Sequence, residues 1–176
     1  MNFIIKVAII LLALGIVSAI IYGLIYYFIW NNHTDDEPIE NYEIINKTIS
    51  ENYYTKDNKV YFITKTLTTK NPYLIQELKN IDIKEFKPLS TNIGVSKETG
   101  IYRNIPIKGT DPETFKAINE EYSKDKNNVY FRTQRINEAD PETFKVLGKG
   151  YSKDKNNIYL IDKIVTEENP ETFNIN

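Results

Sequence analysis

The sequence predicts a strand-rich α+β protein: an amino-terminal transmembrane helix, then tandem repeats of about 29 residues, each a β-hairpin plus a short helix. Three observations carry this. Asp-Pro-Glu-Thr-Phe at Asp111 to Phe115 returns at Asp140 to Phe144, and as Asn-Pro-Glu-Thr-Phe at Asn169 to Phe173, 29 residues apart each time. Tyr-Ser-Lys-Asp-Lys-Asn-Asn starts at Tyr122 and again at Tyr151, also 29 apart. A fixed period of this size marks one supersecondary unit copied in tandem. The third observation is a run of 24 residues without charge, Val7 to Trp30.

That run comes first in the chain. As a helix it would be about 36 Å long, enough for a hydrocarbon core of about 30 Å with some tilt. Val17-Ser18-Ala19 offers a weak cleavage site, but the apolar run continues eleven residues past it, so an uncleaved signal anchor is favoured over a cleaved signal peptide. Lys6 precedes the run and Asp35, Asp36 and Glu37 follow it, which predicts a single pass at the cell membrane with a cytoplasmic amino terminus. The repeat domain is then exported, periplasmic or extracellular. Tyr26, Tyr27 and Trp30 stand where an interfacial aromatic belt belongs. Gly15, Ala19 and Gly23 recur every four residues, a candidate helix-dimer face that allows a homodimer through the membrane helix.

The expected domains are therefore an anchor at 1–30, a juxtamembrane linker at 31–50 and a repeat domain of about four units at 51–176. Within the linker, residues 31–40 are polar and acidic around Pro38, and Asn41 to Ser50 reads equally as a short helix or a lead-in strand.

In the clearest repeat, Tyr122-Ser123-Lys124 and Val129-Tyr130-Phe131 are strand signals, the second β-branched and aromatic. Asp125 to Asn128 between them is turn chemistry, so the pair reads as a hairpin. Asp140-Pro141-Glu142 then reads as a helix start: a capping Asp, Pro at the first helical position and Glu in the first turn. Phe144 and Leu147 would share a face, and Gly148 and Gly150 would stop the helix after about two turns. Asp111 to Ile118 repeats this with Phe115 and Ile118.

Two earlier units are degenerate. Ser96 to Tyr102 aligns with Ser123 to Tyr130 if one residue is deleted, which puts Gly100 where Asn128 and Asn157 stand and predicts positive φ at all three. Tyr54 to Tyr61 is the first copy, also one residue short. Its helix could be Asn71 to Ile75 or Asp82 to Lys87; both are expected to form, with roughly a dozen residues inserted, as in other repeat arrays with local insertions.

The phrases Tyr122 to Tyr130 and Ala139 to Lys145 resemble those of the DKNYY family, bacterial envelope repeat proteins of unknown function. The resemblance runs from about Tyr53 to Phe173 and is most specific in the last two copies; it departs at Phe131 and Leu160, where the family has a second tyrosine. It implies repeats and export and supplies no catalytic residues.

The chemistry read from the residues is sparse. With no cysteine there is no disulfide, thiolate nucleophile or thiolate metal site. The part beyond the anchor holds all 24 acidic residues and 21 of the 22 basic ones, so no basic patch argues for nucleic acid. The repeated loops offer Asp125, Asn127 and Asn128, or Asp154, Asn156 and Asn157, too few oxygens for calcium, and read as hairpin turns. The only histidine, His33, has no nucleophile or ligand cluster around it. No catalytic, cofactor or metal residue is expected. Tyr122, Tyr130, Tyr151 and Tyr159 are the candidate binding stripe, although equivalent places in stacked units more often build the core. The functional expectation is a non-catalytic, membrane-anchored scaffold or binding module for an unidentified envelope macromolecule. The alternative is an accessory or hydrolase acting on cell-wall glycan.

Overall fold

The computed structural model describes residues 38–67, 72–165 and 169–175. These form four antiparallel sheets, each a four-stranded meander in chain order. The first sheet holds β1 (Glu43–Ile44), β2 (Tyr53–Lys56), β3 (Lys59–Lys65) and β4 (Tyr73–Asp82). The second holds β5 (Lys87–Pro88), β6 (Ile93–Val95), β7 (Gly100–Tyr102) and β8 (Ile105–Pro106). The third holds β9 (Lys116–Ala117), β10 (Tyr122–Lys124), β11 (Val129–Phe131) and β12 (Gln134–Ile136). The fourth holds β13 (Lys145–Gly148), β14 (Tyr151–Lys153), β15 (Ile158–Leu160) and β16 (Lys163–Val165).

The expected hairpins are present, and the expected helices are not. No α-helix occurs among the described residues; the only helical turns are 3-10, Ile39–Asn41 and Ile83–Glu85. The fold is therefore antiparallel β rather than α+β. The Asp-Pro-Glu-Thr phrase does start a turn: Asp140 Oδ1 accepts the Glu142 N–H at 3.1 Å, and the Phe144 N–H donates to the Asp140 carbonyl at 3.1 Å. The chain then leaves as β13, pairing Lys145 with Lys153 and Val146 with Ser152. Two turns of helix could not have repaid the cost of nucleation, whereas an adjacent strand was already in place to pair with. In the first unit, Tyr73 to Ile75 lies in β4, and Asp82 to Phe86 holds the second 3-10 turn, with Asp82 Oδ1 accepting the Lys84 N–H at 2.8 Å.

The expected single-pass localisation, with a cytoplasmic amino terminus and exported repeats, does not stand: among the described residues no helix is long and apolar enough to cross a membrane. The run Val7 to Trp30, the Gly15, Ala19 and Gly23 face, and His33 lie outside the described residues. Asn41 to Ser50 contains a strand: β1 pairs with β2, Tyr42 is buried, and the Ser50 hydroxyl donates to the Thr91 carbonyl at 3.1 Å.

The backbone repeat is stricter than the letters. Tyr122 pairs with Phe131, Ile93 with Tyr102 and Tyr53 with Phe62, the same nine-residue step in each unit. No residue is deleted in either early unit. Ser96 therefore stands in the place of Asp125, and Gly100 in the place of Val129. The extra residues of the first unit lie in the long β3–β4 hairpin.

Positive φ is absent at Gly100, Asn128 and Asn157. In the third and fourth sheets an Asp carboxylate caps the loop, as described below, so no left-handed residue is needed. Gly100 is glycine for a different reason: a Cβ there would lie 2.4 Å from the Phe115 ring, as one at Gly94 would from Phe86. The recurring left-handed places are Arg103, Arg132 and Ile161, which open the next two-residue turn of the second, third and fourth sheets, and Asn80, Gly109 and Glu138. Both sets keep the 29-residue step.

The core runs between sheets. Phe86, Phe115, Phe144 and Phe173 follow one another at 29 residues. Phe86 packs with Tyr53, Val60, Phe62 and Leu78 of the first sheet and Ile101 of the second. Phe115 joins Ile93, Tyr102 and Ile107 to Tyr130 of the third. Phe144 joins Tyr122, Val129 and Ile136 to Tyr159 of the fourth, with ring centroids 5.8 Å from Tyr122 and 5.9 Å from Tyr159. Phe173 lies 5.3 Å from Tyr151. Sheets of two to four residues per strand cannot bury much alone, so each is stable only against its neighbours.

Two outcomes follow. Phe144→Ala should cost about 3–5 kcal/mol in chemical denaturation, whereas exposed Glu142→Ala should change stability by less than about 1 kcal/mol. Ile161 holds φ at 62° with a β-branched side chain. Ile161→Asn should raise stability by about 1 kcal/mol, since asparagine tolerates that backbone region.

Candidate functional site

The residues that recur most strictly converge on one junction, repeated between the second and third and between the third and fourth sheets. Asp125 and Asp154 are buried. Asp125 Oδ1 accepts the N–H groups of Asn127 at 2.7 Å and Asn128 at 2.8 Å. Its Oδ2 accepts the Tyr130 hydroxyl at 2.9 Å and the Asp111 N–H at 2.9 Å. Asp154 repeats this with Asn156 and Asn157 at 2.7 Å each, Tyr159 at 2.9 Å and the Asp140 N–H at 2.8 Å. A buried carboxylate is costly unless its lone pairs are filled, and here each oxygen receives two donors. Burial first, then the carboxylate beside it, pushes the Tyr130 and Tyr159 hydroxyls far above the ordinary range. The phenol is held as a donor to the carboxylate.

The surrounding residues clamp the same turn. The Lys155 N–H donates to Thr143 Oγ1 at 3.1 Å, and Lys155 Nζ pairs with Asp140 Oδ2 at 2.9 Å. Lys126 does the same with Thr114 and Asp111, at 3.1 and 2.6 Å. From the preceding sheet, Lys124 Nζ donates to the Pro141 carbonyl at 2.6 Å, and Lys153 to that of Pro170 at 2.8 Å. Each Asp-Pro-Glu-Thr-Phe turn is thus a latch, held by the sheet before it and, at Asp111 and Asp140, by the sheet after it. In the second sheet Ser96 replaces the capping Asp, its Oγ accepting the Glu98 and Thr99 N–H groups at 3.3 and 3.2 Å, and Ile101 replaces the tyrosine. The spacing from Asp125 to Tyr130 and from Asp154 to Tyr159, and the loss of both partners together at Ser96 and Ile101, was the sequence signal of this pairing.

Of the four stripe tyrosines, Tyr122, Tyr130 and Tyr159 are buried, and Tyr151 is half-buried against Phe173. They fill the junctions instead of forming an exposed row, because their rings face the latch phenylalanines. The loop oxygens of Asp125 and Asp154 are turned inward onto N–H groups and a phenol. Among the described residues no group of acidic or histidine side chains is arranged to hold a metal.

Among the described residues, one place where aromatic and charged side chains meet open space is in the divergent first sheet, which sequence reasoning missed. A cleft of about 660 Å³ is lined by Ile39, Tyr42, Ile44, Lys47, Glu51, Asn52, Tyr54, Ile63, Lys65 and Tyr73. It lies on the face built from Tyr61, Ile63 and Ile75, with Tyr42 edge-on to Tyr61 at 4.9 Å. In the later sheets the corresponding face, at Ile101, Tyr130 and Tyr159, packs on the preceding latch phenylalanine. The Tyr54 hydroxyl is pushed up, by burial first and then by Tyr73 and Glu51 alongside it. The side chains involved come from the 3-10 turn before β1 and its cap Tyr42, from β1, β2 and β3, from the start of β4 and from the segment between β1 and β2. The antiparallel register holds them, for instance Ile44 opposite Tyr54 and Lys65 opposite Tyr73.

Residues 95–138 and 122–176 match the DKNYY family, so the resemblance read from the repeat phrases holds over this part of the chain. No curated protein and no solved structure matches the chain.

The latch has an acid limit. Lys155 first, then Thr143 and the Glu142 N–H, holds the Asp140 carboxyl below its ordinary 3.8, and Lys126 does so for Asp111. A carboxyl depressed in the fold adds stability above its unfolded value, and that stability disappears as pH falls through the lower folded value. Melting temperature should therefore drop steeply below about pH 4. Lys155→Met should flatten that limb; an unchanged acid limb in this variant would mean the pair does not support the junction.

Proposed function

We propose, for a chain whose residues 95–176 are DKNYY-family repeats, a non-catalytic role as a scaffold and binding module for a macromolecule, engaged at the cleft of the first sheet. One observation carries this reading. In the repeats, the Asp, Thr, Lys and Tyr side chains of the recurring phrases are bonded to one another or to backbone across the junctions. In the first sheet, by contrast, tyrosines and charged groups line an open concavity. A concavity that combines aromatic and aliphatic side chains with polar groups that orient a ligand is a usual form of binding site. The stacked repeats supply a support behind it, since each junction is closed by a buried ring and, at Asp125 and Asp154, by a filled carboxylate.

The test uses the full chain immobilised on a surface and offered purified glycan polymers and proteins in turn. A macromolecule that binds should be recovered with unchanged length. Tyr54→Ala should abolish retention, and Tyr122→Phe, in a junction, should leave it intact. Release of shortened product would overturn the non-catalytic reading, and retention that survives Tyr54→Ala but fails in the junction variant would move the site to the repeats.

A further inference from the structure

We infer that the cleft of the first sheet takes an acidic glycan: a chain of pyranose rings bearing carboxylates. This rests on the binding-module reading and narrows its ligand.

The shape of the cleft removes two other modes of occupancy, an added strand and a stacked second copy. An extended peptide binds sheets by adding a strand at an edge, where unpaired N–H and C=O groups complete a ladder. This cleft lies on a sheet face. Its lining residues Ile44, Tyr54, Ile63, Lys65 and Tyr73 span all four strands, and β1 to β4 are already paired to one another. A peptide that adds a strand therefore has no ladder to join here, and one that docks by its side chains alone is the competitor in the test below. A second copy stacking as another repeat is excluded by packing. The centre of this face, where a latch phenylalanine would insert, is already filled: Tyr61, Ile63 and Ile75 are 7, 2 and 3% exposed. What stays open lies beside that centre, edged by phenol rings.

A sugar ring fits what remains. Its C–H faces pack on aromatic rings, and the half-buried Tyr54 and Tyr73 line the cleft over a floor of Ile39, buried Tyr42, Ile44 and Ile63. Its hydroxyls need donors and acceptors at the edge, which Asn52, Glu51 and the Tyr54 hydroxyl supply. The charge balance selects the acidic class. Lys47 and Lys65 outnumber Glu51 at the rim, all three are exposed, and none of them forms an ion pair among the described residues. Two uncommitted ammonium groups complement carboxylates on the sugar, and exposed pairs of this kind are weakened by salt.

The test is calorimetric titration of the full chain with two carboxylated probes, a galacturonate hexamer and a tetrasaccharide containing N-acetylmuramic acid. The methyl-esterified galacturonate hexamer is the neutral control, and an unstructured polypeptide of matched size is the competitor class. The acidic probes should bind and the methyl ester should bind at least about tenfold more weakly. Lys47→Glu and Lys65→Glu, both at exposed places, should each weaken binding by about tenfold with an unchanged melting temperature. Tyr54→Ala should abolish binding, and Tyr54→Phe, which keeps the ring, should retain most of it. Equal binding of acid and ester overturns the acidic class. Binding of the polypeptide alone, lost in Tyr54→Ala, overturns the glycan and leaves the binding module standing. If none of the probes and no macromolecule binds at the cleft, both readings fall.

Discussion

A buried carboxylate with every lone pair occupied is the constraint on which the rest of this structure depends. Removing Asp154 from water costs several kcal/mol unless its charge is met inside, and four donors meet it. Two come from its own loop, one from the tyrosine five residues on, and one from the turn that begins the same sheet. One side chain thereby shapes a hairpin, orients a core ring and fastens a latch. The strands are too short to hold sheets together by ladder bonds alone. The phenylalanine of the latch supplies the apolar contact, and the carboxylate fixes the geometry in which that contact forms.

The junction also explains why the recurring phrases carry so little chemistry of their own. Aspartate, lysine, threonine and tyrosine at fixed spacing resemble a functional set, yet here they are one another's partners. Lys124 and Lys153 reach forward to proline carbonyls, and Lys126 and Lys155 reach back to the latch carboxylates. The degenerate second unit keeps the geometry with weaker parts: Ser96 caps its loop, and Lys97 lies 3.6 Å from Glu85. Glycines at 94 and 100 admit the phenylalanine rings closely. Variation between units is thus concentrated in how each junction is closed, while the backbone path is kept.

Function is then most naturally sought where the repeat breaks. The first sheet has a long β3–β4 hairpin and a lead-in from Pro38 that no other sheet has. Its loop Lys56 to Lys59 tightens to a two-residue turn with Asp57 and Asn58 both left-handed. The face that elsewhere receives a latch is here partly roofed by Ile39 and Tyr42 and otherwise open. A cleft arises from a departure from the pattern, which is why a search for recurring residues passed over it.

The sequence by itself determined the repeat, its 29-residue step, the hairpins and the family resemblance, because turn residues, β-branched runs and copied phrases are local signals. It also made plain that the early units were variants of the later ones. It could not decide that the Asp-Pro-Glu-Thr-Phe phrase ends in a strand. The local capping chemistry is the same for one turn as for a helix, and only the pairing with the next strand tips the balance. The same holds for Gly100: its letter suggested backbone freedom, and a ring 2.4 Å from where a Cβ would sit shows the need was space. The tyrosines were legible as equivalent, and their recurrence already favoured the core over a stripe; the rings they pack against are a property of the fold. The cleft was legible least, because Tyr42, Tyr54 and Tyr73 share no period and meet only when four strands fall into register.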